Sequence, residues 1–152
     1  MNRIDDYITV STPQGEVKAK IIISYEERDD KEPWVELELY YNNKVYHSAT
    51  YDYLWIKTFA DLQKQLPGDV IIKCCLTCRD GNLCPVGNCP NEVFCTKDIV
   101  INKKSDLFFY TENDHERETR SRKYCFICND FERQNDNFYT YNDYLYYLKQ
   151  YK

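Results

Sequence analysis

Residues 16–25 alternate between apolar and polar. Val17, Ala19, Ile21 and Ile23 fall on one face and Lys18, Lys20, Ile22 and Ser24 on the other. A period of two is that of a half-buried strand. The same period returns over 34–41, where Trp34, Glu36, Glu38 and Tyr40 oppose Val35, Leu37, Leu39 and Tyr41. A shorter run at 7–10 is closed by Pro13-Gln14-Gly15, and 44–51 follows the pair Asn42-Asn43. Asparagine tolerates positive φ, so that pair predicts a tight hairpin turn. Together these segments predict an antiparallel meander.

The period then changes. Trp55, Phe59, Leu62 and Leu66 recur at steps of four, three and four, which predicts a helix over 52–66 with one apolar stripe. Asp52 is placed to cap its start, and Pro67-Gly68 to end it. Residues 70–74 read as a strand with Val70, Ile72 and Cys74 on one side and Ile71, Lys73 and Cys75 on the other. With the first side in the core, Cys74 is a buried thiol and Cys75 is free to ligate. From 76 to 96 Gly, Pro, Asn and Cys dominate, and the reading is an irregular loop that something must hold in place. Thr140-Tyr141-Asn142-Asp143 reads as a capping box. It opens a short last helix with Tyr141, Tyr144, Leu145 and Leu148 on one face. The fold class expected is therefore α+β, in one domain over 1–152. Its strand-rich half is 1–73, and its cysteine-rich half is 74–152.

Composition narrows the function classes. The 152 residues are 43% hydrophobic with four glycines, enough to bury a continuous core. Twenty basic against 25 acidic residues give a net charge of -5. That balance argues against a broad phosphate-binding surface, and so against nucleic acid as the partner. No segment approaches the roughly 20 apolar residues of a membrane span. The start, Met1-Asn2-Arg3-Ile4-Asp5-Asp6, has no secretory-signal layout. It reads as a natural start, and the chain is expected to be soluble and cytoplasmic.

Compartment decides how the cysteines are read. All eight lie after residue 73, at 74, 75, 78, 84, 89, 95, 125 and 128. In a reducing cytosol, metal binding rather than disulfide pairing is the leading explanation. Cys75/Cys78 and Cys125/Cys128 are CxxC units, and two intervening residues let both sulfurs reach one metal at about 2.3 Å. Cys95, Cys84 and Cys89 are further candidates. A structural zinc, worth on the order of 10 kcal/mol of folding free energy, would pin the loop. The Cys84-Pro85 and Cys89-Pro90 pairs echo the end of a ferredoxin ligand run, so an iron–sulfur cluster stands as the alternative, although the preceding spacing does not match. A redox dithiol would need a thioredoxin-like βαβ context, which is absent.

The stretches CCLTCRDGNLCPVGN, VFCTKD and YCFICNDFE resemble a family of uncharacterised small bacterial proteins. That family has a strand ending in CxxC, a Gly/Pro-rich loop, a lone Cys before charged residues, and a later Cys-x-x-Phe-Glu. The likeness covers roughly 52–133 and includes the preceding Asp61–Pro67 helix end. It implies Cys75, Cys78, Cys95 and Cys128 as the shared quartet, and it carries no established activity. Cys74, Cys84, Cys89 and Cys125 are additions in this chain and leave the ligand set open.

Other chemistry is sparse. His47 falls in a strand and reads as an edge residue; His115 lies in the charged run 112–123 and reads as solvated. No nucleophile elbow, phosphate loop or zinc-protease motif occurs, so an enzyme with a catalytic metal stands only as a third reading, behind two binding roles. Many of the 15 tyrosines must be partly exposed. An acidic, tyrosine-rich surface suits a basic protein partner, an immunity protein that neutralises a toxin being one concrete version. The runner-up is a zinc-ribbon-like nucleic-acid module, which would need Arg117, Arg120, Arg122 and Lys123 to form a patch beside the metal. The sequence does not fix the oligomeric state.

Overall fold

The structure is a computed structural model. It describes residues 2–29, 31–52, 55–85, 92–107 and 115–150, with the side chains of 115–117 excepted. Contacts divide the chain into two compact units, one of residues 1–73 with 143–152 and one of 74–142. The architecture is α+β, dominated by antiparallel strands.

The first unit is built on strands β1 (Asn2–Thr12), β2 (Gly15–Arg28), β3 (Lys31–Tyr41), β4 (Lys44–Tyr51) and β5 (Ile71–Lys73). They form one sheet in the order β4-β3-β2-β1-β5. The register pairs Ile8 with Ala19, Ile23 with Leu37, and Leu37 with Ser48, so like faces coincide across the sheet. Ile8, Val10, Ile21, Ile23, Val35, Leu37 and Leu39 are fully buried, which is the apolar face read from the alternation. Val17 is the exception at 43% exposure, because it lies at the end of its strand. The turn between β3 and β4 has Asn42 at φ 53° and Asn43 at φ 62°, the left-handed pair that two-residue hairpins use.

Helix α1 (Ile56–Gln65) covers the apolar face. It starts four residues later than the periodicity predicted, because Trp55 sits at its N-terminus with φ 63° and breaks the helical path. Tyr53 and Leu54, inside the predicted helix, lie outside the described residues. Asp52 still serves the helix start: its carboxylate accepts a 2.7 Å bond from the Lys57 N–H. Trp55, Phe59, Leu62 and Leu66 are all buried, and the Trp55 ring lies against Tyr25. Ser48 donates to the Thr58 carbonyl, joining β4 to the helix.

Helix α3 (Tyr144–Leu148) packs on α1 and buries Tyr144. It begins past the predicted capping box. Asp143 is its cap residue without a side-chain bond, and the Thr140 hydroxyl is used elsewhere, donating to the Arg79 carbonyl.

The second unit corrects the reading of 76–96 as irregular. A 3-10 turn over Cys75–Thr77 is followed by strands β6 (Gly81–Leu83), β7 (Glu92–Cys95) and β8 (Ser121–Lys123), antiparallel in the order β6-β7-β8. A short helix α2 (His115–Arg120) precedes β8. Phe94, Leu107, Ile101 and Cys84 form a buried core, with Ile99, Tyr139 and Tyr141 packed against it.

The fully buried Leu37 at the centre of the first sheet gives the fold its simplest test. Leu37→Ala should lower stability by about 3 kcal/mol. Urea unfolding followed by circular dichroism should show that as a midpoint shift without loss of cooperativity.

Candidate metal centre

The turn that begins the second unit is fixed from three sides. Within it, the Thr77 N–H bonds the Cys74 carbonyl at 3.0 Å and the Cys78 N–H the Cys75 carbonyl at 3.3 Å. The Cys75 N–H donates to the Phe126 carbonyl at 2.7 Å, and the Leu76 N–H to Tyr124 at 3.2 Å. At the other end the Arg79 N–H donates to the Glu132 carbonyl at 2.7 Å, and Cys78 bridges to Arg133. The chain from 126 to 132 is therefore tied to both ends of the CxxC turn. Cys128 lies in the arch between the ties.

Cys95 arrives by strand register. It stands opposite Gly81 in the β6–β7 ladder, and Gly81 closes the same turn through its N–H bond to the Cys78 carbonyl. A Cβ at Gly81 would lie 1.7 Å from the Cys75 carbonyl oxygen and 3.2 Å from Val93 Cγ1. Only glycine permits that approach. The backbone thus links the three segments that carry Cys75 and Cys78, Cys95, and Cys128. Burial raises the Cys75 pKa most, and the neighbouring Cys74, Cys78, Cys95 and Cys128 add to the rise in that order. Among the described residues no three His, Cys, Asp or Glu side chains already stand as a metal-ligating group.

The additional cysteines separate by environment. Cys74 is fully buried. Burial pushes its thiol up to about 12, as expected of a core cysteine. Its partner is Thr77, whose hydroxyl lies 3.8 Å from the sulfur. Cys84 belongs to the hydrophobic core around Phe94. Cys125 is half-buried, and its charge acts on Cys74. Cys89 lies outside the described residues.

Cys78 has a distinctive setting. Burial raises its pKa, while backbone N–H groups of Glu132 and Asp80 oppose the rise; the Asp80 N–H lies 3.4 Å from the sulfur. Such N–H donors stabilise a thiolate and are the usual outer partners of a metal-bound sulfur. Cys75, Cys78, Cys95 and Cys128 are of the ligand type that tetrahedral zinc takes.

Several residues that hold this region carried no sequence signal as site residues. Asp80 is a buried carboxylate whose pKa is raised by burial and opposed by Arg79. Asn82 is fully buried: its amide donates to the Asp80 carbonyl and to Thr96 Oγ1, and its Oδ1 accepts from the Tyr141 N–H. The Asn142 amide donates to the carbonyls of Leu76 and Gly81, 2.7 and 2.9 Å away, spanning the turn. The one legible hint was Asp80-Gly81 after the CxxC, a turn dipeptide.

The remaining residues of the sequence reading are not gathered here. His47 is exposed on β4, 4.0 Å from the Glu36 carboxylate. His115 lies on α2, its side chain outside the described set, as is that of Arg117. Arg120 is committed to a two-point ion pair with Asp98, 2.5 and 3.2 Å, and to the Cys95 carbonyl. Arg122 donates to the Thr119 and Ser121 carbonyls. Lys123 lies over the Tyr124 ring at 6.0 Å.

The contact at Gly81 makes a sharp prediction. Gly81→Ala should force the Cys75 carbonyl away, cost about 3 kcal/mol and expose Cys75 and Cys78 to a thiol reagent. Retention of slow, protected labelling in that variant would contradict the described turn.

No family model matches the chain, and no curated protein matches it.

Proposed function

We propose that the chain is a small intracellular protein-binding module whose second unit is held by one structural zinc ion on Cys75, Cys78, Cys95 and Cys128. One observation carries this reading. The backbone ties of 126–132 to the CxxC turn, with Cys95 in register at Gly81, link the three segments that carry these four thiols. The two core thiols, Cys74 and Cys84, are accounted for by packing. When bound, zinc would supply a closed, redox-inert crosslink rather than a reactive centre. Thiolate ligation also agrees with a reducing compartment, so cytoplasmic location belongs to the same proposal. No helix among the described residues is long and apolar enough to cross a membrane.

The binding role rests on what the tied segment displays. Phe126 is 47% exposed, while Asp130 and Glu132 of the same segment are paired with Lys97 and Arg79. An exposed aromatic on a chain of net charge -5 suits a basic protein partner. An immunity-type protein acting on a basic toxin is one form this could take. Nucleic acid is the weaker reading: within the basic patch it would need, Arg120 is spent on Asp98 and Arg122 on carbonyls, which weakens a phosphate contact there.

Elemental analysis of the reduced, purified protein should find about one zinc per chain. Serine at Cys75, Cys78, Cys95 or Cys128 should each abolish stoichiometric zinc, while Cys84→Ala and Cys125→Ser should keep it. Zinc retained by all four quartet variants would refute the ligand set. For the partner, a basic protein recovered with the chain should rebind as a purified pair. Phe126→Ala should then weaken the complex by about tenfold or more.

A further inference from the structure

The first unit has a second sheet face that neither α1 nor α3 covers. Register places Tyr7, Lys18, Lys20, Ile22, Trp34, Glu36, Glu38, Tyr40, Val45 and Tyr51 on it, opposite the face of Leu37 and Ser48 that meets α1. Tyr7 is 61% exposed, Val45 55% and Tyr51 47%. Large apolar groups at this density on a flat sheet are a docking feature.

The charges on this face are sorted along the strands. Lys73 pairs with Glu16 at 3.0 Å, and Arg3 with Asp5 at 3.1 Å, so those four cancel locally. Lys18 instead donates to Thr9 Oγ1, and Lys20 lies over the Tyr40 ring. At the other end, Glu36 is held by the Trp34 indole N–H at 2.6 Å and Glu38 by the Tyr40 hydroxyl at 3.0 Å. Glu26 lies further toward that end, where Arg28 stacks on Tyr51. Among the described residues, two lysines with no carboxylate partner thus lie on one half of the face. Two carboxylates lie on the other, held by the Trp34 and Tyr40 donors, with the His47 ring 4.0 Å from Glu36.

We propose that this face binds a second copy of the chain. A two-fold axis in the plane of the face and perpendicular to the strands turns each lysine end onto the partner's glutamate end. Tyr7, Tyr40 and Val45, which share the Lys20 row, then lie against the Ile22–Glu38 row of the partner. An isologous contact requires a surface complementary to itself, and this sorting provides one, whereas a one-signed partner would meet like charge on half the face. Face-to-face sheet packing about 10 Å apart is a standard arrangement. Strand spacing and rise give the face roughly 500–600 Å² per copy, or about 1,100 Å² in total, just above the minimum of a specific interface. The dimer should accordingly be weak and salt-sensitive.

Charge reversal tests it directly. Sedimentation equilibrium of the full chain at low ionic strength should give twice the chain mass in the micromolar range. Lys18→Glu with Lys20→Glu, or Glu36→Lys with Glu38→Lys, should each weaken the dimer by on the order of 100-fold. The two variants mixed in equal amounts should restore a dimer, because every reversed charge then faces its opposite. Circular dichroism of each variant controls for folding, as all four sites are on the surface. A wild-type chain that stays monomeric, reversed variants that still self-associate, or a mixture that stays monomeric would each overturn the proposal.

Discussion

Backbone hydrogen bonds between two segments some fifty residues apart set the character of the second unit. Cys75 and Leu76 are held at the carbonyls of Phe126 and Tyr124, and Arg79 at that of Glu132. Without these ties the CxxC turn would be a short 3-10 element with no reason to persist. With them, the segment that contains Cys128 is tied to both ends of the CxxC turn. Cys95 is held alongside because its strand partner is the glycine that closes the turn. Asn142 and Asn82 complete the frame by satisfying the carbonyls that the turn leaves inward. Buried polar groups fully paired in this way favour one backbone arrangement over others.

The first unit needs no such help. Its stability comes from aliphatic residues of four long strands closed by the Trp55–Leu66 stripe, where burial contributes roughly 25 cal/mol per Å². The contrast accounts for the proposed zinc. The second unit's strands are three or four residues long and its core cluster is small. Small cores of this kind commonly depend on a crosslink. A crosslink there also fixes the segment that displays Phe126, linking the proposed metal to the proposed binding role.

The sequence disclosed the first unit nearly whole because one physical signal dominated it. Period-two alternation in 16–25 and 34–41 is unambiguous, and Asn42-Asn43 marks the turn between β3 and β4 by a preference for positive φ. It missed the length of β1, since Arg3 and Asp5 pair with each other on the open face and Asp6 sits among the apolar positions. It missed β6, β7 and β8 because strands this short show no period. They exist through pairings between distant residues, such as Val93 with Arg122. The helix start was misplaced by a single left-handed residue, Trp55, which no propensity anticipates. At the site, cysteine spacing pointed to the CxxC turn. Burial does not by itself separate core thiols from candidate ligands, since Cys75 and Cys78 are buried as well; what sets Cys84 apart is its place in the hydrophobic cluster of Phe94.

X-ray absorption at the zinc edge of the purified protein tests the central claim most directly. The account predicts a single shell of four sulfurs at about 2.3 Å, with loss of one sulfur in the Cys128→Ser variant. A first shell dominated by nitrogen or oxygen, or the absence of bound zinc, would contradict it.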